Sequence, residues 1–169
     1  MKRVVDHRLK QNALTVALTA ALAVMAQGTM AQTFTDPLPP YPYRWTSGDL
    51  NVTSAISGGV TGVFVSNIVG TLTNSGTISG TIYGIQNTGS IAALNNTIGT
   101  IGASTVVGTI SGITGIDNTG TIGRLSNSGA ISGTLAINNN AGTIGTLTNS
   151  GILSGVNTGM RAIPAVRGM

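Results

Sequence analysis

The sequence predicts an all-β chain, a parallel β-solenoid of about five coils of roughly 22 residues each, preceded by a helical signal peptide and an extended proline-rich linker. Three observations predict it. An Ile/Leu-Ser-Gly marker recurs with its glycine at Gly58, Gly80, Gly112, Gly133 and Gly155, in steps of 22, 32, 21 and 22 residues. Asn-x-Gly recurs at Asn74, Asn87, Asn118, Asn127, Asn149 and Asn157. Charged residues are only 7% of the chain, against roughly 25% in an ordinary soluble domain.

The leader comes first. Lys2, Arg3, Arg8 and Lys10 precede the uncharged run Ala13–Ala26, and small residues follow with Thr29-Met30-Ala31 or Val24-Met25-Ala26 as cleavage sites. That order is a secretory signal peptide over residues 1–31. The apolar run is shorter than the ~20 residues a membrane span needs. The leader also holds half of the chain's eight Lys and Arg residues, so the net charge of +4 is no sign of nucleic-acid binding. Phosphate contacts need clustered cations.

Residues 32–50 carry Pro37, Pro39, Pro40 and Pro42 together with Tyr41, Tyr43 and Trp45. Proline fixes φ and removes a ladder donor, which makes this segment an extended linker. Its aromatics are expected to cover the open end of the repeat as an N-terminal cap.

The solenoid is expected over residues 51–159. Thr121–Gly133 and Thr143–Gly155 match closely 22 positions apart, and Gly70–Gly80 repeats the same unit. The pieces between the Asn-x-Gly elements are short and rich in Thr, Ile, Val and Leu, which suit strands. Glycine at this density argues against helix. Asn74, Asn87, Asn118, Asn127 and Asn149, with Gly76, Gly89, Gly120, Gly129 and Gly151, are the expected corner and ladder residues. Glycine enters φ > 0 freely and asparagine tolerates it, so each pair reads as a bend. A constant step stacks like on like: Leu125 on Leu147, Asn127 on Asn149, Ile131 on Leu153. Ile78, Ile91, Ile122, Ile131 and Ile144 should point inward. The 32-residue step suggests an extra half-unit, in the stretch from Asn95 to Val107. Residues 160–169 leave the pattern and are expected to form an irregular tail.

Catalytic chemistry lacks the side chains it needs. The one histidine, His7, lies in the leader, and the chain has no Cys and no Glu. A nucleophile–histidine arrangement cannot be assembled from the rest. Asp36, Asp49 and Asp117 are spread along the sequence, and Asp117, before Asn118-Thr119-Gly120, reads as a corner residue. No catalytic, cofactor-binding or metal-ligating set is expected, and no cofactor. Calcium-binding β-rolls need an Asp in every repeat.

The pattern Ile-x-Asn-x-Gly-x-Ile-x-Gly behind a long basic leader resembles the passenger region of bacterial autotransporters, the type V secreted proteins. The resemblance spans about residues 50–159. It implies a right-handed parallel β-helix, Sec-dependent export to the periplasm, cell surface or outside, and adhesin-like contact with a host-cell or matrix surface. The family's C-terminal translocator barrel has no counterpart here, which suggests a fragment or truncated product. A structural spacer and an ice-binding solenoid are the alternatives. The latter calls for Thr-x-Thr in every coil; Thr71/Thr73 and Thr146/Thr148 fit, whereas Arg124/Ser126 interrupt. No nucleic-acid partner and no integral membrane segment after cleavage are expected. Self-association through the exposed strand edges of the solenoid ends is expected.

Overall fold

The computed structural model describes residues 32–34, 42–57, 59–101 and 103–163. The expected signal peptide, most of the proline-rich segment, the marker glycine Gly58 and the last six residues lie outside them.

The described chain is all strand, turn and bend. β1 (Gln32–Phe34) and β2 (Tyr43–Trp45) begin it. The first full coil is β3 (Leu50–Val52), β4 (Ala55–Ser57) and β5 (Thr61–Val65). The second is β6 (Ile68–Asn74), β7 (Thr77–Ser79) and β8 (Tyr83–Asn87). The third is β9 (Ser90–Asn96), β12 (Thr109–Ser111) and β13 (Thr114–Asn118), interrupted by β10 (Ile98–Ile101) and β11 (Ser104–Val107). The fourth is β14 (Thr121–Asn127) and β15 (Ala130–Asn140). The fifth is β16 (Thr143–Asn149) and β17 (Ile152–Ile163).

These coils stack as a parallel β-solenoid with three sides. The first side is the sheet β1-β3-β6-β9-β14-β16. The second is β4-β7-β12 continued by the front of β15 and β17, and the third is β2-β5-β8-β13 continued by their back halves. In the fourth and fifth coils one strand runs across both sides, so hydrogen bonding joins them into one nine-stranded sheet. The register confirms the expected spacing. Ile56 lies beside Ile78, Leu72 beside Leu94 and Leu125 beside Leu147, each 22 residues apart.

The 32-residue step has a cause different from an extra half-unit. β10 and β11 pair with each other, antiparallel, from Ile98↔Val107 to Ile101↔Ser104. They form a hairpin that leaves the coil after Asn96 and returns at Gly108, whose N–H donates to Thr97 O at 2.8 Å. Excising residues 98–107 restores 22. Two strands looped out in this way do not shift the stacking of the coils on either side: Thr77 still pairs Thr109, and Ile78 still pairs Ile110.

The core follows from side-chain alternation. The middle coils each send four large apolar side chains inward: Val69, Leu72, Ile78 and Ile85 in the second, Ile91, Leu94, Ile110 and Ile116 in the third, Ile122, Leu125, Ile131 and Ile137 in the fourth; the first buries Leu50, Val52, Ile56, Val63 and Val65. Burying each is worth about 1.5–3 kcal/mol. In the fifth coil Ile144, Leu147 and Leu153 are only partly buried, because no described coil covers them. Trp45, 1% exposed, pairs with Val65 at the other end and donates its indole N–H to Ser47 O at 3.1 Å.

Two expected boundaries change. The linker region already contributes strands, since β1 pairs with β3 and β2 with β5. The chain does not turn irregular at 160 either: β17 stays in register to Ile163, with Met160 beside Ile137 and Arg161 beside Asn138.

Candidate functional site

Two columns of asparagine close two of the three edges. In the first, Asn74 Nδ2 donates to Asn96 Oδ1 at 2.8 Å, Asn96 to Asn127 at 2.8 Å, and Asn127 to Asn149 at 2.7 Å. In the second, Asn87 donates to Asn118 at 2.7 Å and Asn118 to Asn139 at 2.6 Å. The other amide proton is used as well. Asn74, Asn87, Asn96, Asn118 and Asn127 reach the carbonyls of Thr109, Thr121, Ala130, Thr143 and Ile152, just past the next coil's corner. A buried carbonyl at a corner has left the strand ladder and needs a donor. Asparagine supplies donor and acceptor on one short side chain, so it can repeat indefinitely where a charged residue would repel its neighbour.

Asn96 and Asn139 belong to these columns although neither starts an Asn-x-Gly. Their sequence signal is the spacing alone: Asn96 is 22 residues past Asn74, and Asn139 is 21 past Asn118. Asn157 does start an Asn-x-Gly, yet it lies exposed within β17. The first column begins beneath an apolar neighbour, since Val52 pairs with Asn74 and leaves Asn74 Oδ1 buried without a partner.

The corner glycines serve a purpose other than φ > 0. Among the described residues only Gly48 (φ 72°) and Ala141 (φ 58°) have positive φ. A Cβ on Gly76 would strike Ser54 O; on Gly89, Asn67 O; on Gly120, Gly89 O; on Gly129, Gly108 O; on Gly151, Gly129 O. The corner of one coil therefore rests directly on the backbone of the one before. Asn96 O, for example, accepts N–H groups from Ser128 at 2.8 Å and Gly129 at 3.2 Å.

The outward faces of the first and second sides carry rows of Ser, Thr and Asn and little charge, while Val60, Ile82 and Ile113 lie exposed between the second and third sides. On the second side, Ser57, Ser79, Ser111, Ser132 and Ser154 fall in one register row, and the Ser57 and Ser79 hydroxyls lie 3.1 Å apart. On the first side, Asn51, Thr73, Asn95, Ser126 and Thr148 form a row beside Thr71, Ala93, Arg124 and Thr146. Ala93 and Arg124 break the threonine array.

The two described aspartates lie far apart in the stack. Asp117 sits within β13 rather than at a corner, is 8% exposed, and accepts from Asn138 Nδ2 at 2.8 Å. Asp49 lies between β2 and β3, and its Oδ1 accepts from Thr71 N at 2.7 Å. With Leu50, Asn51, Thr71 and Thr73 it lines a groove of about 340 Å³ on the first side. At the fifth coil, Asn139, Ile144, Leu147 and Met160 line a smaller apolar hollow of about 170 Å³.

No protein-family model matches the chain, and neither the search of curated proteins nor that of solved structures finds a match.

Proposed function

We propose that this chain is an exported, non-catalytic, adhesin-like passenger segment whose outer faces contact another cell or its matrix. The observation that carries the reading is the division of labour within each coil. Apolar side chains and asparagine columns hold the stack together from inside, while the outward rows of Ser, Thr and Asn contribute nothing to the core. A row such as Asn51–Thr73–Asn95–Ser126–Thr148 offers hydroxyls and amides at the fixed strand spacing of about 4.8 Å. Such groups suit many weak polar contacts rather than one deep pocket. The autotransporter resemblance of the leader and the repeats supports the same reading, and export through the Sec route is part of it.

The experiment is binding of the exported chain to host cells and immobilised matrix, beside a Ser126→Glu variant. Its neighbours in the row, Asn95 and Thr148, are uncharged, so the single carboxylate meets no like charge across the ladder. Binding that falls several-fold in the variant, with an unchanged melting temperature, supports adhesion through this face. Wild-type protein that binds no cell or matrix component leaves the structural-spacer reading in its place.

A further inference from the structure

The turn from Trp45 to Leu50 departs from the repeat and builds a concavity on a flat side. Gly48 has φ 72°, a conformation in which a side chain is strained. It swings Asp49 over the next coil, so that Gly48 O accepts Gly70 N–H at 2.8 Å and Asp49 Oδ1 accepts Thr71 N–H at 2.7 Å. Position 70 has to be glycine for this, because a Cβ there would collide with Asp49 Oδ1. Three local features thus hold one carboxylate beside the Asn/Thr row. Around it, the side-chain amide of Asn51 and the hydroxyls of Thr71 and Thr73 are half-buried and make no hydrogen bond among the described residues.

We propose that this groove binds a neutral saccharide, one pyranose unit presented through vicinal hydroxyls; the inference rests on the adhesin-like reading and gives it a ligand class and a place. A carboxylate accepts two neighbouring O–H groups through strong charge-assisted bonds. The Asn51 amide donates and accepts, and the threonine hydroxyls do both. An anionic ligand would meet Asp49 with no cation among the described lining residues to offset it. An apolar ligand would strip water from four polar side chains and return no hydrogen bonds. The volume of about 340 Å³ is at the small end of ligand sites, which run from about 300 to 1,000 Å³. That suits a single sugar ring, and the groove opens to solvent so that a longer chain can continue out of it.

The test is an array of neutral and of sialylated or sulfated oligosaccharides probed with the full chain, followed by titration of any neutral hit. Asp49→Asn keeps an oxygen for Thr71 N–H and removes the charge; Thr73→Val removes one hydroxyl at constant shape. Asn157→Ala, exposed on β17 and outside the named rows, is the control. The expected result is binding of a neutral oligosaccharide, weakened about ten-fold by Asp49→Asn and less by Thr73→Val, with Asn157→Ala unchanged. Equal binding by all four proteins overturns the groove, as does binding confined to anionic glycans. If no glycan binds while the protein still adheres to cells, the groove fails and the adhesin-like reading stands; if neither binds, both fail.

Discussion

At the residue scale the central device is the asparagine column. Each amide is turned the same way, Nδ2 towards the later coil and Oδ1 towards the earlier one, so the dipoles add along the stack. Asn96 is the best-connected member. It accepts from Asn74 and donates to Gly108 O at 2.9 Å, Asn127 Oδ1 and Ala130 O at 3.1 Å. Replacing it with leucine of similar size leaves two carbonyls and one amide oxygen buried without that donor. Unmade buried hydrogen bonds cost about 1–3 kcal/mol each, and several of these share one side chain. Asn96→Leu is therefore expected to lower stability by about 3 kcal/mol or more in chemical denaturation. A loss below about 1 kcal/mol would mean that water replaces the column. The same change at exposed Asn157 is expected to be nearly silent, since surface substitutions stay within about 0.5 kcal/mol.

At the element scale the hairpin β10–β11 stands apart. Its strands bond only to each other, and Ile98 and Val107 are 54% and 48% exposed. A lone two-stranded hairpin adds little stability. The coil closes beneath it through Thr97 O and Gly108 N–H, and Asn74 O accepts from Thr97 N–H at 2.8 Å. Deleting residues 98–107 leaves 97 and 108 next to each other in sequence, as the corner residues Ser128 and Gly129 are in the following coil. The expected outcome is a chain that folds with the same far-UV circular dichroism and a melting temperature within a few degrees of the parent. Loss of the cooperative transition would show instead that the hairpin is part of the stack.

At the scale of the whole stack, stability is a sum over coils and the contacts between neighbours. The second to fourth coils have covered neighbours on both sides, and their inward apolar residues are at or near zero exposure. Among the described residues the fifth has one, and its Ile144, Leu147 and Leu153 are half-buried. Local opening is cheapest where fewest apolar contacts are lost. Amides of β16 and β17 are expected to exchange with deuterium at least ten-fold faster than those of β9 and β14, by mass spectrometry on peptic fragments. Uniform protection from β9 to β17 would show that the fifth coil is covered in solution, as self-association through that end would cover it.

Much of this was legible in the sequence because a solenoid writes its period directly into the chain. A step of 22 gave the coil length, the Leu125–Leu147, Asn127–Asn149 and Ile131–Leu153 pairings, and the inward isoleucines. Composition showed directly that the chain has no cysteine and no glutamate and that its one histidine, His7, lies near its start. What only the tertiary structure decided concerns contacts between coils and departures from the period. The corner glycines read as flexible bends, yet their φ values are ordinary, and they are small because another backbone lies against them. Asn96 and Asn139 carry no local motif and become ladder members only through register. The ten extra residues could not be told from half a coil until their antiparallel pairing was visible. Asp49 looked like an isolated charge, and the turn at Gly48 places it over Thr71 beside three uncommitted polar groups. Periodicity fixes what repeats; which backbone touches which, and where one exception builds a groove, depends on distances that a linear sequence does not contain.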